Sequence, residues 1–191
     1  MGAPPVQPPR QARSRVTWDR VVDTGVAIIE ESGYEGLTIA ALCDRAGVTP
    51  PAVYRRAPDK RTLEMAIYER ALERLEADST LEEASGVREA VEALAGTFIR
   101  NARLLRAIIH RSAVEPEIFM RGSESSTELG RQFRAAIGGD ERAADACFRV
   151  VLATLTQRVV FGPGFESTIL QTPEQLVDVL TEMVEAYLGR R

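Results

Sequence analysis

Lysine is nearly absent from this chain: Lys60 is the single lysine among 24 basic residues. Histidine occurs once, at His110, and cysteine twice, at Cys43 and Cys147. One histidine gives no basis for a histidine-built metal site, and the two cysteines are not spaced as a metal pair. Each cysteine falls in a helical pattern, where a free thiol behaves as a small buried hydrophobe. Neither metal nor cofactor is expected. No apolar run approaches a membrane span, and the N-terminal stretch MGAPPVQPPRQARSR lacks the apolar core of a secretory signal. A cytoplasmic location without a membrane partner is therefore expected. Nucleophile–base pairs, metal clusters and glycine-rich phosphate loops are also missing, so an enzyme is not expected. Strand alternation and internal repeats are absent too.

What remains is an ordinary globular composition. The 191 residues are 45% hydrophobic and 27% charged, and the length admits one or two domains. Net charge is −4, but it is unevenly spread. Residues 1–60 hold eight basic and seven acidic residues, and residues 61–191 hold sixteen and twenty-one.

The most informative segment is 38–60, TIAALCDRAGVTPPAVYRRAPDK. Thr38 is placed to cap a helix whose Ile39, Leu42, Cys43 and Ala46 share one face. Gly47 follows where a left-handed residue closes a helix, and Val48 plugs the angle. Thr49 is then placed to cap a second helix. Either Pro50 is its first residue, or Pro50 is the cap and the helix starts at Pro51, because a residue before proline is pushed out of the α region. Val53 points inward. Thr38, Thr49, Tyr54 and Lys60 are phosphate-binding types able to face one side. Two short helices joined by a tight turn are common corners in helical proteins. With this polar rim they point instead to a helix-turn-helix that seats its second helix in the major groove. Residues 1–15, rich in proline and arginine, are expected to be disordered, either as an arm along DNA or as a solubilising tail.

At these residues the chain resembles the tetracycline-repressor (TetR) family of bacterial transcription regulators. The family pattern A-G-V-[ST]-x-x-x-[LIV]-Y-x-[HYR]-F-x-[ND/S]-K is met by Ala46-Gly47-Val48-Thr49, Val53-Tyr54, Arg56 and Asp59-Lys60, after a Gly33-Tyr34 helix end and Thr38. The match spans roughly residues 16–65. Ala57 departs from it, standing where the family has an aromatic or bulky apolar residue. The resemblance implies that Thr38, Thr49, Tyr54 and Lys60 hold phosphates and that Pro50, Pro51, Ala52, Arg55 and Arg56 lie nearest the bases. Pro50, Pro51 and Ala52 can touch only apolar groups such as thymine methyls. Arg55 or Arg56 can pair with guanine or else hold a phosphate.

The rest reads as helices. Thr17 is placed to cap the first, with Val22, Val26 and Ile29 on one face, ending near Gly33. A long helix follows Pro58, then helices around Val87–Phe98 and Leu104–Ile109, and over 117–137, 140–161 and 173–188, the last opened by Thr172-Pro173-Glu174. The expected architecture is all-α. A three-helix DNA-binding domain (16–60) follows the disordered arm (1–15) and precedes a helical effector-binding and dimerisation domain (61–191). The final two helices are apolar over more than one face. A single core could account for this, and a two-fold dimer reading a palindromic operator accounts for it better. Leu152, Leu155, Val159, Leu176, Val179, Leu180, Met183, Val184 and Tyr187 are the expected interface, which agrees with the family's habit of pairing through its last two helices. The resemblance further implies a small-molecule pocket. Tyr68, Phe98, Arg103, His110, Phe119, Phe133, Cys147 and Phe148 are its candidate lining, for a hydrophobic or aromatic effector; ordinary core is the alternative for each aromatic. The expected function is a ligand-responsive repressor. The alternatives are an activator of the same family, or a helical ligand- or protein-binding module that has lost DNA recognition.

Overall fold

A computed structural model describes residues 10–165 and 168–189. Residues 1–9 of the expected arm lie outside them. The described elements are all helical, and the chain divides into two compact units, Met1–Ala71 and Leu72–Arg191.

The first unit begins with α1 (Arg10–Gly36), which leaves helical geometry at Gly33 (φ 70°, ψ −175°). This corrects the expected start at Thr17 and makes residues 10–15 helical. Beyond Pro9 the stretch RQARSR holds good helix formers and no breaker, so Thr17 lies inside the helix rather than at its cap. Val21, Val22, Val26, Ile28 and Ile29 of α1 are buried. Then come α2 (Ile39–Ala46), α3 (Pro50–Tyr54) and α4 (Lys60–Asp78). The division between the units falls within α4, so its first half belongs with α1. At Gly25 the Ile67 side chain of α4 lies so close to the α1 backbone that an added Cβ would collide with it. Arg70 of α4 reaches across to Asp19 (2.9 Å) and Asp23 (3.0 Å).

Asp59 caps α4, its carboxylate accepting the Thr62 N–H at 2.7 Å. That backbone bond, then the Thr62 side chain, holds the Asp59 carboxyl below the usual carboxylate range. A carboxyl lowered by folding stabilises the fold above its unfolded pKa, and this contribution is lost as pH falls through the lower folded value. Asp59→Asn keeps a capping oxygen but cannot titrate. Thermal melts across the acid range should therefore show a weaker pH dependence in the variant; parallel profiles would remove Asp59 from the account.

The second unit contains a 3₁₀ turn (Leu81–Glu83), α5 (Val87–Arg100), α6 (Ala102–Ser112), α7 (Pro116–Ile137), α8 (Glu141–Phe161) and α9 (Pro173–Leu188). Its core gathers Leu81, Val91, Leu94, Phe98, Phe133, Phe148, Val151, Leu155, Leu176, Leu180 and Val184. The Phe133 and Phe148 rings pack tilted with centroids 5.7 Å apart. Asn101 breaks α5 from α6. It is buried, and its amide donates to Asp78 Oδ2 (2.8 Å) and to the Thr97 carbonyl (3.0 Å). Arg100 completes this clamp at 3.1 Å and is the main reason the Asp78 carboxyl is lowered. Asp140 caps α8 through the Ala143 N–H (2.9 Å). Thr172 and Gln175 form a reciprocal capping box on α9, with Pro173 at the first helical position. Both cysteines are buried, which pushes their thiols up and away from the reactive thiolate.

Candidate nucleic-acid interface

The helix-turn-helix forms as its local chemistry dictates. Thr38 is extended (φ −105°, ψ 153°) and its Oγ1 accepts the Ala41 N–H at 3.1 Å. Its hydroxyl hydrogen stays available to an incoming phosphate, because a hydroxyl accepts and donates at once. Gly47 takes the left-handed conformation (φ 63°, ψ 42°) that closes α2. Leu42, Cys43, Ala46 and Val53 are buried in the angle. Ala57 is buried as well, so the corner after α3 packs around a small residue where the family pattern has a large one.

Of the two expected starts, α3 takes the first: Thr49 is the cap and Pro50 the first helical residue. Pro50 is helical despite preceding Pro51, since a proline φ suits a first turn. Two prolines in succession have a chemical consequence. Neither carries an N–H, so the first two donors that a helix start normally offers an anion do not exist. The next two amides, Ala52 and Val53, both donate to the Thr49 carbonyl (2.9 and 3.3 Å). The Thr49 hydroxyl therefore caps nothing. The front of α3 is consequently apolar, and its polar reach comes from Thr49, Tyr54 and the residues that follow.

The cations around this helix differ in their freedom. Lys60 is exposed but pairs with Glu64 at 3.4 Å, so a phosphate must compete with that carboxylate. Arg56 donates to Ser14 Oγ at 2.9 Å, and its guanidinium sits 5.9 Å from the Trp18 ring centroid. The Arg55 side chain has no hydrogen bond or ion pair among the described residues, and Arg55 is exposed. Arg45 holds Glu31 by two bonds of 2.6 and 2.7 Å, which lowers the Glu31 carboxyl. With Arg70 on Asp19 and Asp23, three acids of α1 are neutralised within their own unit. Sequence reasoning missed the α1 side chains in this arrangement, Ser14 and Trp18, because they meet Arg56 only in three dimensions.

The other candidate residues separate. Phe98, Phe133, Cys147 and Phe148 lie together in the core of the second unit. Arg103, His110 and Phe119 are exposed. Tyr68 is buried on the part of α4 that belongs to the first unit. Apolar periodicity marks burial and does not distinguish core from cavity wall. The residues expected at the interface divide by burial. Leu155, Val159, Leu176, Leu180 and Val184 are buried within the protomer and Leu152 is half-buried. Val179, Met183 and Tyr187 are 38%, 53% and 39% exposed.

Among the described residues, no His, Cys, Asp and Glu cluster could hold a metal ion, and no helix is long and apolar enough to cross a membrane.

Residues 21–67 match the family described as "Bacterial regulatory proteins, tetR family". No curated protein matches the chain. Solved structures share the fold over most of its length. A transcriptional regulator from Rhodococcus sp. Rha1 is 21% identical with a TM-score of 0.73, covering 90% of this chain and 96% of its own. A TetR-family member from Streptomyces coelicolor A3 is 18% identical with a TM-score of 0.65, covering 87% and 97%. Salmonella enterica GusR is 18% identical with a TM-score of 0.66, covering 91% and 96%. Residues 21–67, with their capped α2, left-handed Gly47 and short α3, thus form a head of the tetR type, and the chain as a whole shares the all-helical fold of these solved regulators.

Proposed function

We propose that the chain is a homodimeric, ligand-responsive repressor that binds a palindromic operator in the cytoplasm. The observation that carries the dimer is the exposed apolar stripe on α9. Val179, Met183 and Tyr187 stand four residues apart on one face, and Val150 and Phe161 of α8 are also exposed. A single helix-turn-helix reads one half-site, so a two-fold pair matches a palindrome. Such a dimer presents its recognition helices about 34–36 Å apart, one helical turn of DNA. A hydrophobic or aromatic effector that favours another spacing lowers operator affinity by a coupling of roughly 1–3 kcal/mol, and release of the operator lifts repression.

The test is selection of bound duplexes from a random pool at low salt with full-length protein. An enriched palindrome supports the reading and supplies the probe for an effector screen. No enrichment with folded protein would instead favour a ligand- or protein-binding module. With the selected site in hand, Tyr54→Phe and Lys60→Ala should weaken binding to all sequences alike. Lys60→Ala should also flatten the dependence of log K on log salt by about one unit, since one phosphate contact is lost. An unchanged salt slope would remove Lys60 from the phosphate set.

A further inference from the structure

We infer that each half-site is read through one two-residue ridge, Pro51 and Arg55, which takes a thymine 5-methyl and a nearby guanine, while Arg56 is a strut to α1 and reads no base. This rests on the DNA-binding reading above.

A helix turns about 100° per residue, so residues two before and two after a buried position point almost directly away from the core. Val53 is buried. Pro51 and Arg55 therefore share the outward ridge. The Arg55 N–H donates to the Pro51 carbonyl at 3.2 Å, and Arg55 keeps helical angles (φ −64°, ψ −27°), so the ridge is continuous. Pro50 and Tyr54 form one flank. Ala52 and Arg56 form the other, and both border a cleft of about 180 Å³ that Ser14, Thr17 and Trp18 of α1 also line. Arg55 stands at the same cleft, but Arg56 is the one tied down, by Ser14 Oγ and the Trp18 ring. The bond to Ser14 and the Trp18 ring hold the Arg56 guanidinium toward α1, on the flank and away from the outward ridge.

The chemistry of the ridge then selects its targets. Pro51 is exposed, has no N–H, and has its carbonyl engaged by Arg55. It can make only apolar contact, and the apolar group displayed in the major groove is the thymine 5-methyl. Its ring also loses no rotamer freedom on binding. Arg55 presents a free fork suited to guanine O6 and N7. Four residues along a helix span about 6 Å, and base pairs stack about 3.4 Å apart. The two targets therefore lie within about two base pairs of each other.

The experiment uses the sites selected from the random pool. Fluorescence anisotropy at fixed salt compares the wild type with Arg55→Ala and Arg56→Ala, both at exposed positions and checked for folding by circular dichroism. Each consensus thymine is replaced by uracil and each consensus guanine by 7-deazaguanine. Uracil at the reading position should weaken the wild type about fourfold, the value of one lost methyl. Deazaguanine should weaken the wild type about tenfold and leave Arg55→Ala unchanged. Arg56→Ala should weaken all duplexes alike and keep the consensus. Indifference to uracil overturns the inference. So does deazaguanine sensitivity that survives in Arg55→Ala and vanishes in Arg56→Ala. An unenriched pool overturns this inference and the DNA-binding reading together, whereas enriched sites indifferent to both base changes overturn this one alone.

Discussion

Met183→Arg is expected to leave each protomer folded, abolish pairing, and cost operator binding with it. Met183 is 53% exposed, and arginine matches methionine in helix propensity, so α9 has no local reason to melt. On the proposed interface the residue is buried in both copies, because a two-fold contact presents the same patch twice. An unpaired charge buried there costs several kcal/mol, so two cost on the order of 5 kcal/mol. At about 1.4 kcal/mol per decade, the dimer constant weakens by three orders of magnitude or more. Light scattering behind size exclusion should find a monomer at micromolar concentration, and the selected palindrome should bind only as weakly as a single half-site. Leu180 would be a poor choice for this test. It is buried in the protomer core, so a charge there would unfold the protomer before it revealed anything about pairing. A Met183→Arg protein that remains dimeric and binds the palindrome like the wild type would show that pairing, if any, uses another surface.

The features legible in the sequence are those encoded within about four residues. The Thr38 cap, the left-handed Gly47, the breaks at Gly138-Gly139 and the Thr172-Pro173 helix start all stand where the residues put them, since each rests on a side chain bonding its own neighbourhood or on a glycine's freedom. The illegible features are those whose partners are distant in the chain. Arg56 and Ser14 are 42 positions apart, and Arg70 lies 47 from Asp23. Nothing in the segment YRRA tells which arginine is tied down, so Arg55 and Arg56 stay equivalent until α1 is placed. The last two helices are ambiguous for another reason. A helix apolar on two faces announces that both are to be covered but not by what. Leu155 and Val159 turn inward, whereas Met183 and Tyr187 stay exposed. Thr17 shows the opposite error: threonine is a cap only where the chain upstream leaves the helix, and here Arg10–Val16 continues it.

Leu42→Ala should have the largest effect on the DNA-binding head, and through packing alone. Leu42 is fully buried in α2 and cannot reach a nucleic acid, so any loss of binding must pass through the fold. Removing a buried leucine costs the lost transfer energy plus the cavity left behind, about 3–5 kcal/mol. That is large for a unit as small as the first 71 residues, because small units bury a smaller share of their surface and stand closer to unfolding. The five residues of α3 are too few to hold a helix by themselves. Val53 seats them in the angle beside α2, and Pro51 and Arg55 keep their outward aim only while that angle holds. Operator affinity should therefore fall steeply on warming, and protease should cut first between 38 and 57. Leu42→Met, which conserves volume, should cost less than about 1.5 kcal/mol and restore most of the binding. Heat-insensitive, wild-type affinity in Leu42→Ala would mean that α3 is positioned by something other than its packing beside α2.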